Sequence, residues 1–270
     1  MNFIKNGGAN VERVIDFSSI KKQILMNQAT FLSLVYQPKV RCEDSTIRSC
    51  EVLMRCHLFE TEIPIGSFLE FIKESELECE LDLLIIQKLC QEMKDMLNHI
   101  TEFSVNISLK TLSRPQVAEE ILNFIQGEGI SPECITLEVL EDVELFSHSV
   151  VVDNLKNLSK KGLKISMDDF GTGYATYSRL SELKFDEVKI PRAFMMNNKL
   201  YDEKMQEILR AIISMCKAIG CWTVAEGIET LEEKEIIASL GIDYIQGYYY
   251  SKPLNKYALI QYLEEKAYLK

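Results

Sequence analysis

Short apolar runs alternate with longer amphipathic segments along most of the chain, a pattern typical of alternating strands and helices. Eight runs are predicted to be strands: 31–40, 46–55, 103–108, 135–140, 163–167, 187–190, 222–225 and 244–245. Apolar residues at helical spacing predict two helices in 67–97, broken near Glu78, and single helices at 116–126, 150–160, 204–219 and 231–240. Gly220 and Gly241 stand where the last two helices should stop.

The connections between these strands predict the fold. Only a short polar turn, Glu43-Asp44-Ser45, joins the first two strands, so they form an antiparallel hairpin. The later strands are separated by helices and are therefore parallel. Eight strands in 270 residues fit a closed barrel better than an open doubly wound sheet. The sequence predicts an α/β fold, a modified (β/α)8 barrel of the TIM type with an antiparallel opening hairpin.

Seven strands carry a polar residue at or near one end. In a parallel barrel the C-terminal ends of the strands converge on one mouth, so these side chains should face one another. Each has an ordinary explanation alone: Glu138 could begin a loop, Lys189 could extend to solvent and Asn106 could bond its own backbone. Burying several carboxylates together is costly without cations, so the set predicts a bound metal. The set is Glu51, Asn106, Glu138, Asp168, Lys189, Glu226 and Gln246.

Two adjacent carboxylates, Asp168 and Asp169, stand where an apolar run breaks into a glycine-rich loop. Neighbouring strand side chains point to opposite faces, so both can reach one ligand only where the strand ends and the backbone turns. Alone, such a pair is more often a helix cap or a solvated turn. The other strand ends favour a metal site. Because all its donors are oxygens, Mg²⁺ or Mn²⁺ is favoured over zinc.

Oxygen-rich two-metal sites typically carry out phosphoryl transfer or phosphodiester hydrolysis. Lys189 fits charge stabilisation at the phosphoryl oxygens. Arg55 either clamps a substrate phosphate or is an ordinary solvent-facing strand arginine. The chain has no Walker loop, no Ser-His-Asp arrangement and no Gly-x-Gly-x-x-Gly after a first strand. Interpretations as a kinase, a triad hydrolase or a dinucleotide-binding protein are therefore unsupported.

Composition narrows the class of protein further. With 47% hydrophobic residues, the chain can bury one large core. A net charge of −11 argues against a DNA or RNA polymer as partner. Without a signal peptide or an apolar run of membrane-spanning length, we expect a cytoplasmic protein that does not enter a membrane. The 8 cysteines form no Cys-x-x-Cys pair and the 3 histidines are scattered, so we expect reduced, buried thiols and no structural zinc.

Several motifs match one known family. They are Tyr36-Gln37-Pro38, Glu51-Val52-Leu53-Met54-Arg55, Val105-Asn106-Ile107-Ser108, Leu137-Glu138, the run from Met167 to Tyr174, Val188-Lys189-Ile190, the run from Val224 to Thr230, Gln246-Gly247-Tyr248 and Ser251-Lys252-Pro253-Leu254. From about Phe31 to about Leu263 the chain resembles the EAL-domain phosphodiesterases, which hydrolyse the bacterial second messenger cyclic di-GMP. The resemblance implies metal-dependent hydrolysis to linear pGpG, with two Mg²⁺ or Mn²⁺ ions per site. We expect Ca²⁺ to inhibit, because it prefers longer bonds and looser, higher coordination than so compact a site offers.

The resemblance also implies roles for individual residues. One metal is held by Glu51, Asn106, Glu138 and Asp168, and a second by Asp168, Asp169 and Glu226. The catalytic residues are Lys189 and Gln246, which orient or polarise the attacking water, with Glu51, Glu226 and the supporting Glu229. Substrate is bound by Gln37, Leu53, Arg55 and Pro253. Glu141 steadies the glycine-rich loop.

Three departures from the family pattern leave alternatives open. Val52 replaces alanine, Cys56 replaces tryptophan, and Pro191 replaces the aspartate that follows Lys189-Ile190. Pro191 removes a negative charge and a backbone N–H near Lys189, so turnover or metal affinity could fall. The alternatives to a hydrolase are a cyclic di-GMP receptor without turnover and a protein-binding regulator on the same barrel. Intact ligand residues favour the hydrolase.

The domain organisation follows from the same pattern. Residues 1–30 are expected to form a lead-in segment, predicted helical, and residues 31–270 the barrel domain. Because so few residues precede the first strand, we expect a stand-alone module. The sequence leaves open whether the protein forms a homodimer.

Overall fold

The computed structural model describes residues 17–58, 61–141, 149–171, 183–196 and 198–268. Its strands are β1 (Leu32–Arg41), β2 (Ile47–Leu58), β3 (Thr61–Ile63), β4 (Glu102–Asn106), β5 (Ile135–Leu140), β6 (Lys164–Asp168), β7 (Glu187–Ile190), β8 (Trp222–Ala225) and β9 (Tyr244–Ile245). Its helices are α1 (Ser18–Leu25), α2 (Ile65–Glu74), α3 (Glu78–Met93), α4 (Leu109–Leu112), α5 (Val117–Gly127), α6 (Ser149–Lys160), α7 (Glu203–Ala218), α8 (Leu231–Ser239) and α9 (Lys256–Tyr268).

Eight of these strands close into a barrel, in the order β1-β2-β4-β5-β6-β7-β8-β9 and back to β1. Strand β1 is antiparallel to both of its neighbours, β2 and β9, whereas the other neighbouring barrel strands are parallel. The predicted barrel with its antiparallel opening hairpin is confirmed. The short strand β3, which extends β2 in antiparallel pairing, was not predicted.

Alternation along the strands separates an apolar outer layer from a polar interior. On β4, Phe103 and Val105 belong to the apolar core, and the intervening Ser104 accepts a hydrogen bond from Lys39. Successive strand side chains point to opposite faces, so one face of each strand packs against the helices and the other lines the barrel. The polar strand-end residues therefore lie inside the barrel mouth.

The structure adds detail to several sequence-based expectations. The break in 67–97 falls between α2 and α3, where Glu76 has a left-handed backbone with φ of 54°. The lead-in segment includes helix α1, whose Ile20 and Ile24 are buried, and residues 1–16 of that segment lie outside the described residues.

All eight cysteines are free thiols; six are buried, but Cys42 and Cys134 are partly exposed. In the described part of the chain, no helix is both long and apolar enough to cross a bilayer.

Candidate active site

Lys189 lies at the centre of the barrel mouth. Its Nζ is 2.7 Å from Glu226 Oε1, 2.8 Å from Glu138 Oε2, 3.3 Å from Asp168 Oδ1 and 3.4 Å from Glu51 Oε1. Glu51 lies within the long strand β2, Glu138 and Lys189 lie near the ends of β5 and β7, Asp168 ends β6, and Glu226 directly follows β8. Parallel strands thus bring together residues that lie far apart in the sequence.

The carboxylates of Glu51, Glu138, Asp168 and Glu226 form a ring around Lys189. Side-chain amides complete this carboxylate ring on the side of β1. Gln246 Nε2 donates to Glu51 Oε2 at 2.5 Å and to Gln37 Oε1 at 3.1 Å. Asn106 Nδ2 approaches Glu51 Oε1 at 3.4 Å. Gln246 Oε1 is buried, and among the described residues it has no hydrogen-bond partner. A buried carbonyl oxygen without a donor is costly, so this position suits a water or a substrate donor.

Asp168, Asp169 and Glu226 form the acidic cluster of the mouth. Each offers a carboxylate oxygen, and these oxygens lie within 4.8 Å of one another. Strand β6 ends at Asp168, and Asp169 takes a left-handed backbone with φ of 56° while its N–H donates to Asp168 Oδ1. Aspartate tolerates this conformation better than most residues. This turn lets the carboxylates of Asp168 and Asp169 face the same point in the mouth.

The charges at the mouth do not balance. Burial and the neighbouring Glu138 raise the pKa of Glu51 to about 7, although Lys189 opposes the rise. Burial alone would also raise the pKa of Glu138, but Lys189 and Lys39 hold it at about 2. Burial raises the pKa values of Asp168 and Glu226 as well.

The same carboxylates act on Lys189. Burial would lower the pKa of Lys189, but Glu138, Glu51 and the other carboxylates hold it well above its usual value. One lysine therefore neutralises part of a larger acidic set.

A divalent cation fits this donor set. The mouth holds five carboxylates: those of Glu51, Glu138, Asp168 and Glu226 lie within 3.4 Å of Lys189 Nζ, and that of Asp169 joins Asp168 and Glu226 in the acidic cluster. Carboxylates in excess of cations repel one another, and they either take up protons, as the raised pKa of Glu51 indicates, or bind a further positive charge. Carboxylate and amide oxygens are the ligands that Mg²⁺ and Mn²⁺ prefer. The cluster could thus hold a metal ion.

Loop residues flank the mouth at two points. Glu141 Oε2 accepts a hydrogen bond of 2.6 Å from Gly171 N at the start of the glycine-rich loop; Thr172, Gly173 and Tyr174 lie outside the described residues. Glu229 Oε1 is 2.7 Å from Arg192 Nη2 rather than in contact with the ring.

The predicted substrate-binding residues lie around β1 and β2. Leu254 pairs with Tyr36 of β1, which places Pro253 beside that strand, and Gln37 Nε2 donates to Ser251 O. Leu53 stands two residues beyond Glu51 on β2. Arg55 lies farther along, 3.6 Å from Glu62 Oε1, and donates to Met54 O, so the structure does not bring it into the carboxylate ring.

The departures from the family pattern are accommodated locally. Val52 and Cys56 are buried in the apolar core, and Val52 points away from the mouth because its neighbour Glu51 points into it. Pro191 is buried directly after β7 with φ of −70°, an ordinary angle for proline, and its carbonyl accepts from Phe194 N. None of the three substitutions strains the backbone.

Lys39 and Glu187 lie below the mouth and were not predicted as site residues. Lys39 Nζ is 2.6 Å from Glu187 Oε1 and 3.2 Å from Glu138 Oε1. Burial would lower the pKa of Lys39, but these two carboxylates raise it. A signal was present, because Ser104 and Glu187 each stand two residues before a polar strand-end residue and so share its face.

The fold and the mouth together define a (β/α) barrel protein with an acidic, oxygen-donor site at the C-terminal ends of its parallel strands. The pattern of the EAL domain family matches residues 21–253, so the chain belongs to the EAL domain family.

Relatives and solved structures agree with this assignment. "Cyclic di-GMP phosphodiesterase NbdA" of Pseudomonas aeruginosa is 28% identical over 86% of this chain and 30% of its own length. "Probable cyclic di-GMP phosphodiesterase PdeA" of Escherichia coli is 32% identical over 69% of this chain and 26% of its own length. The chain thus spans about a third or less of these relatives. The PaMucR phosphodiesterase of P. aeruginosa, solved as a c-di-GMP complex, superposes with a TM-score of 0.78 at 28% identity, covering 85% of this chain and 99% of that chain.

Proposed function

We propose that this protein hydrolyses one phosphodiester bond of cyclic di-GMP to give linear pGpG, using Mg²⁺ or Mn²⁺. The observation that carries the proposal is the position of Lys189, whose ammonium lies within 3.4 Å of four carboxylates beside the Asp168, Asp169 and Glu226 cluster. Such a site suits an anionic phosphodiester only when cations are added to it. The substrate is supported by the names of the relatives and by the PaMucR complex.

Each residue of the mouth has a task in this proposal. One ion would be held by Glu51, Asn106, Glu138 and Asp168, and a second by Asp168, Asp169 and Glu226. Bound there, the ions supply Lewis acidity at the phosphoryl oxygens and a nucleophilic water.

The chain's own groups orient the substrate and the attacking water. Lys189 stabilises negative charge that develops on the phosphoryl group, and the buried Gln246 Oε1 accepts a hydrogen bond from the attacking water. Gln37, Leu53, Arg55 and Pro253 bind the nucleotide at the rim. Glu229 supports the loop after β8 through its contact with Arg192.

Chromatography of the products tests the proposal. Purified protein is incubated with cyclic di-GMP and either Mg²⁺ or Mn²⁺, and we expect linear pGpG to accumulate and to require the metal. Folded protein that yields no linear product with either metal would contradict the proposal.

The receptor alternative has one specific observation in its favour, the uncharged and buried Pro191 next to β7. If cyclic di-GMP binds without turnover, Pro191→Asp tests whether the missing carboxylate is the cause, and recovery of hydrolysis is then expected. Absence of both binding and turnover would leave the protein-binding regulator.

A further inference from the structure

A second polar layer lies directly beneath the mouth, inside the barrel. Strand residues two positions apart share a face, so the layer consists of the residues that precede five of the seven mouth residues by two, while Val224 and Tyr244 hold the corresponding positions on β8 and β9. All five residues of the layer are buried: Ser49 below Glu51, Ser104 below Asn106, Thr136 below Glu138, Ser166 below Asp168 and Glu187 below Lys189. Bulky branched residues usually fill this region of a (β/α)8 barrel. Here small hydroxyl side chains leave room for a long one.

Lys39 occupies that room. Because β1 runs antiparallel to its neighbours, the chain descends from Gln37 at the mouth to Lys39 one layer below. Lys39 has 0% exposure, and its Nζ contacts Glu187 Oε1 at 2.6 Å, Ser104 Oγ at 2.7 Å and Glu138 Oε1 at 3.2 Å. Three acceptors match the three hydrogens of an ammonium group. The group is therefore fixed in position.

Glu138 is consequently held at both of its carboxylate oxygens. Lys39 binds Oε1 from the lower layer, and Lys189 binds Oε2 at 2.8 Å in the mouth. Two donors on the two oxygens fix the plane of the carboxylate. Groups that orient a metal-binding carboxylate from behind typically change affinity or activity by 10- to 100-fold when removed.

Stability alone does not account for the Lys39–Glu187 pair. Buried ion pairs cost desolvation energy, and well-packed apolar residues in their place are often equally stabilising or better. We propose that Lys39 is a positioning residue, which holds Glu138 from inside the barrel in the orientation that the mouth requires. The kinetic part of this inference rests on the proposed phosphodiesterase function, whereas the metal-binding part does not.

A charge-balanced double variant separates positioning from stability. Lys39→Met alone leaves Glu187 buried without a cation, so we expect a lower Tm. Lys39→Met combined with Glu187→Met removes one charge of each sign and should return Tm towards that of the unmodified protein. Glu138 Oε1 still lacks its donor in the double variant. We therefore expect kcat and Mn²⁺ affinity to remain about 10- to 100-fold lower, with the KM for cyclic di-GMP within about 2-fold because Lys39 does not reach the rim.

Calorimetric titration with Mn²⁺ supplies the readout that does not depend on turnover. If the unmodified protein fails to hydrolyse cyclic di-GMP, the proposed function fails, but the comparison of Mn²⁺ affinities still tests Lys39. A double variant with recovered Tm, unchanged Mn²⁺ affinity and unchanged kcat would overturn the inference. Should that variant not fold, Lys39→Met with Glu187→Gln keeps the same charge balance and an acceptor for Ser166 Oγ, and the same outcomes apply.

Discussion

The backbone conformation of Asp169 brings the carboxylates of Asp168 and Asp169 to the same site. On a continuing strand their carboxylates would diverge, but the φ of 56° at Asp169 turns the second towards Glu226. Asp168 also contacts Lys189 at 3.3 Å. Asp168 and Glu226 thus belong both to the acidic cluster and to the set of carboxylates that contact Lys189.

Asp168→Ala should therefore abolish metal binding and activity together. No neighbouring side chain replaces a shared charged ligand, so we expect kcat to fall at least about 100-fold, more than for a supporting group, and Mn²⁺ affinity measured by calorimetry to fall with it. Lys189→Ala provides the contrast, because it removes charge stabilisation, worth about 10²- to 10³-fold in kcat, without removing a metal ligand. Asp95→Ala, which removes a surface carboxylate paired with Lys256, is the control. Unaltered Mn²⁺ affinity in Asp168→Ala would refute the ligand assignment.

At the scale of elements, the close approach of β9 to the loop after β8 aligns Gln246 with Glu226. Gln246 N donates to Ala225 O at 2.8 Å, and Ile228 N to Gln246 O at 3.3 Å. A Cβ at Gly247 would stand 2.0 Å from Ile228 O and 2.4 Å from Ile228 N. Glycine at this position is therefore what permits the contact.

Gly247→Ala should push the two segments apart. Overpacking of this kind costs about 1–3 kcal/mol, which corresponds to a Tm lower by roughly 3–10 °C. Because the displaced loop carries Glu226, we also expect kcat to fall by about 10-fold or more. Gly66→Ala in α2 is the matched control, since its Cβ meets nothing within 4 Å and should leave Tm and kcat unchanged or Tm slightly higher. Equal behaviour of the two variants in thermal melts and assays would show that the approach at Gly247 is unimportant.

The strands were predictable from the sequence, whereas the polar layer inside the barrel was not. The parallel strands were found because short apolar runs end in polar residues, and the direction of β1 followed from the turn at Glu43-Asp44-Ser45. The lower polar layer was not recognised, although Ser104 and Glu187 each stand two residues before a polar strand-end residue, because one polar residue in a short apolar run is a weak signal of which face lines the barrel. Lys39 was missed for the same reason. Its partners Glu187 and Glu138 are 148 and 99 residues away in the chain.

The whole molecule concentrates negative charge where its parallel strands converge. The five carboxylates of the mouth repel one another in the folded state and, apart from the adjacent Asp168 and Asp169, lie far apart in the unfolded chain, so the metal-free barrel forms against that repulsion. A cation that binds only the folded mouth should therefore stabilise the entire fold. An ion that stabilises the fold need not support hydrolysis. Stabilisation requires only that the ion neutralise negative charge, whereas catalysis requires a particular coordination geometry.

Thermal melts and assays with three cations test this separation. At about 100 times its dissociation constant a bound ion contributes about 2.7 kcal/mol, so Mg²⁺, Mn²⁺ and Ca²⁺ should each raise Tm by roughly 5–10 °C. Only Mg²⁺ and Mn²⁺ should support hydrolysis, and Ca²⁺ added to Mg²⁺-loaded protein should inhibit, because Ca²⁺ prefers longer bonds and looser, higher coordination than this compact set of carboxylates offers. Asp168→Ala should lose most of the Tm increase with all three ions. A rate with Ca²⁺ equal to that with Mg²⁺ would mean that hydrolysis does not depend on strict metal geometry, and the roles given to Lys189 and Gln246 would then have to carry more of the catalysis.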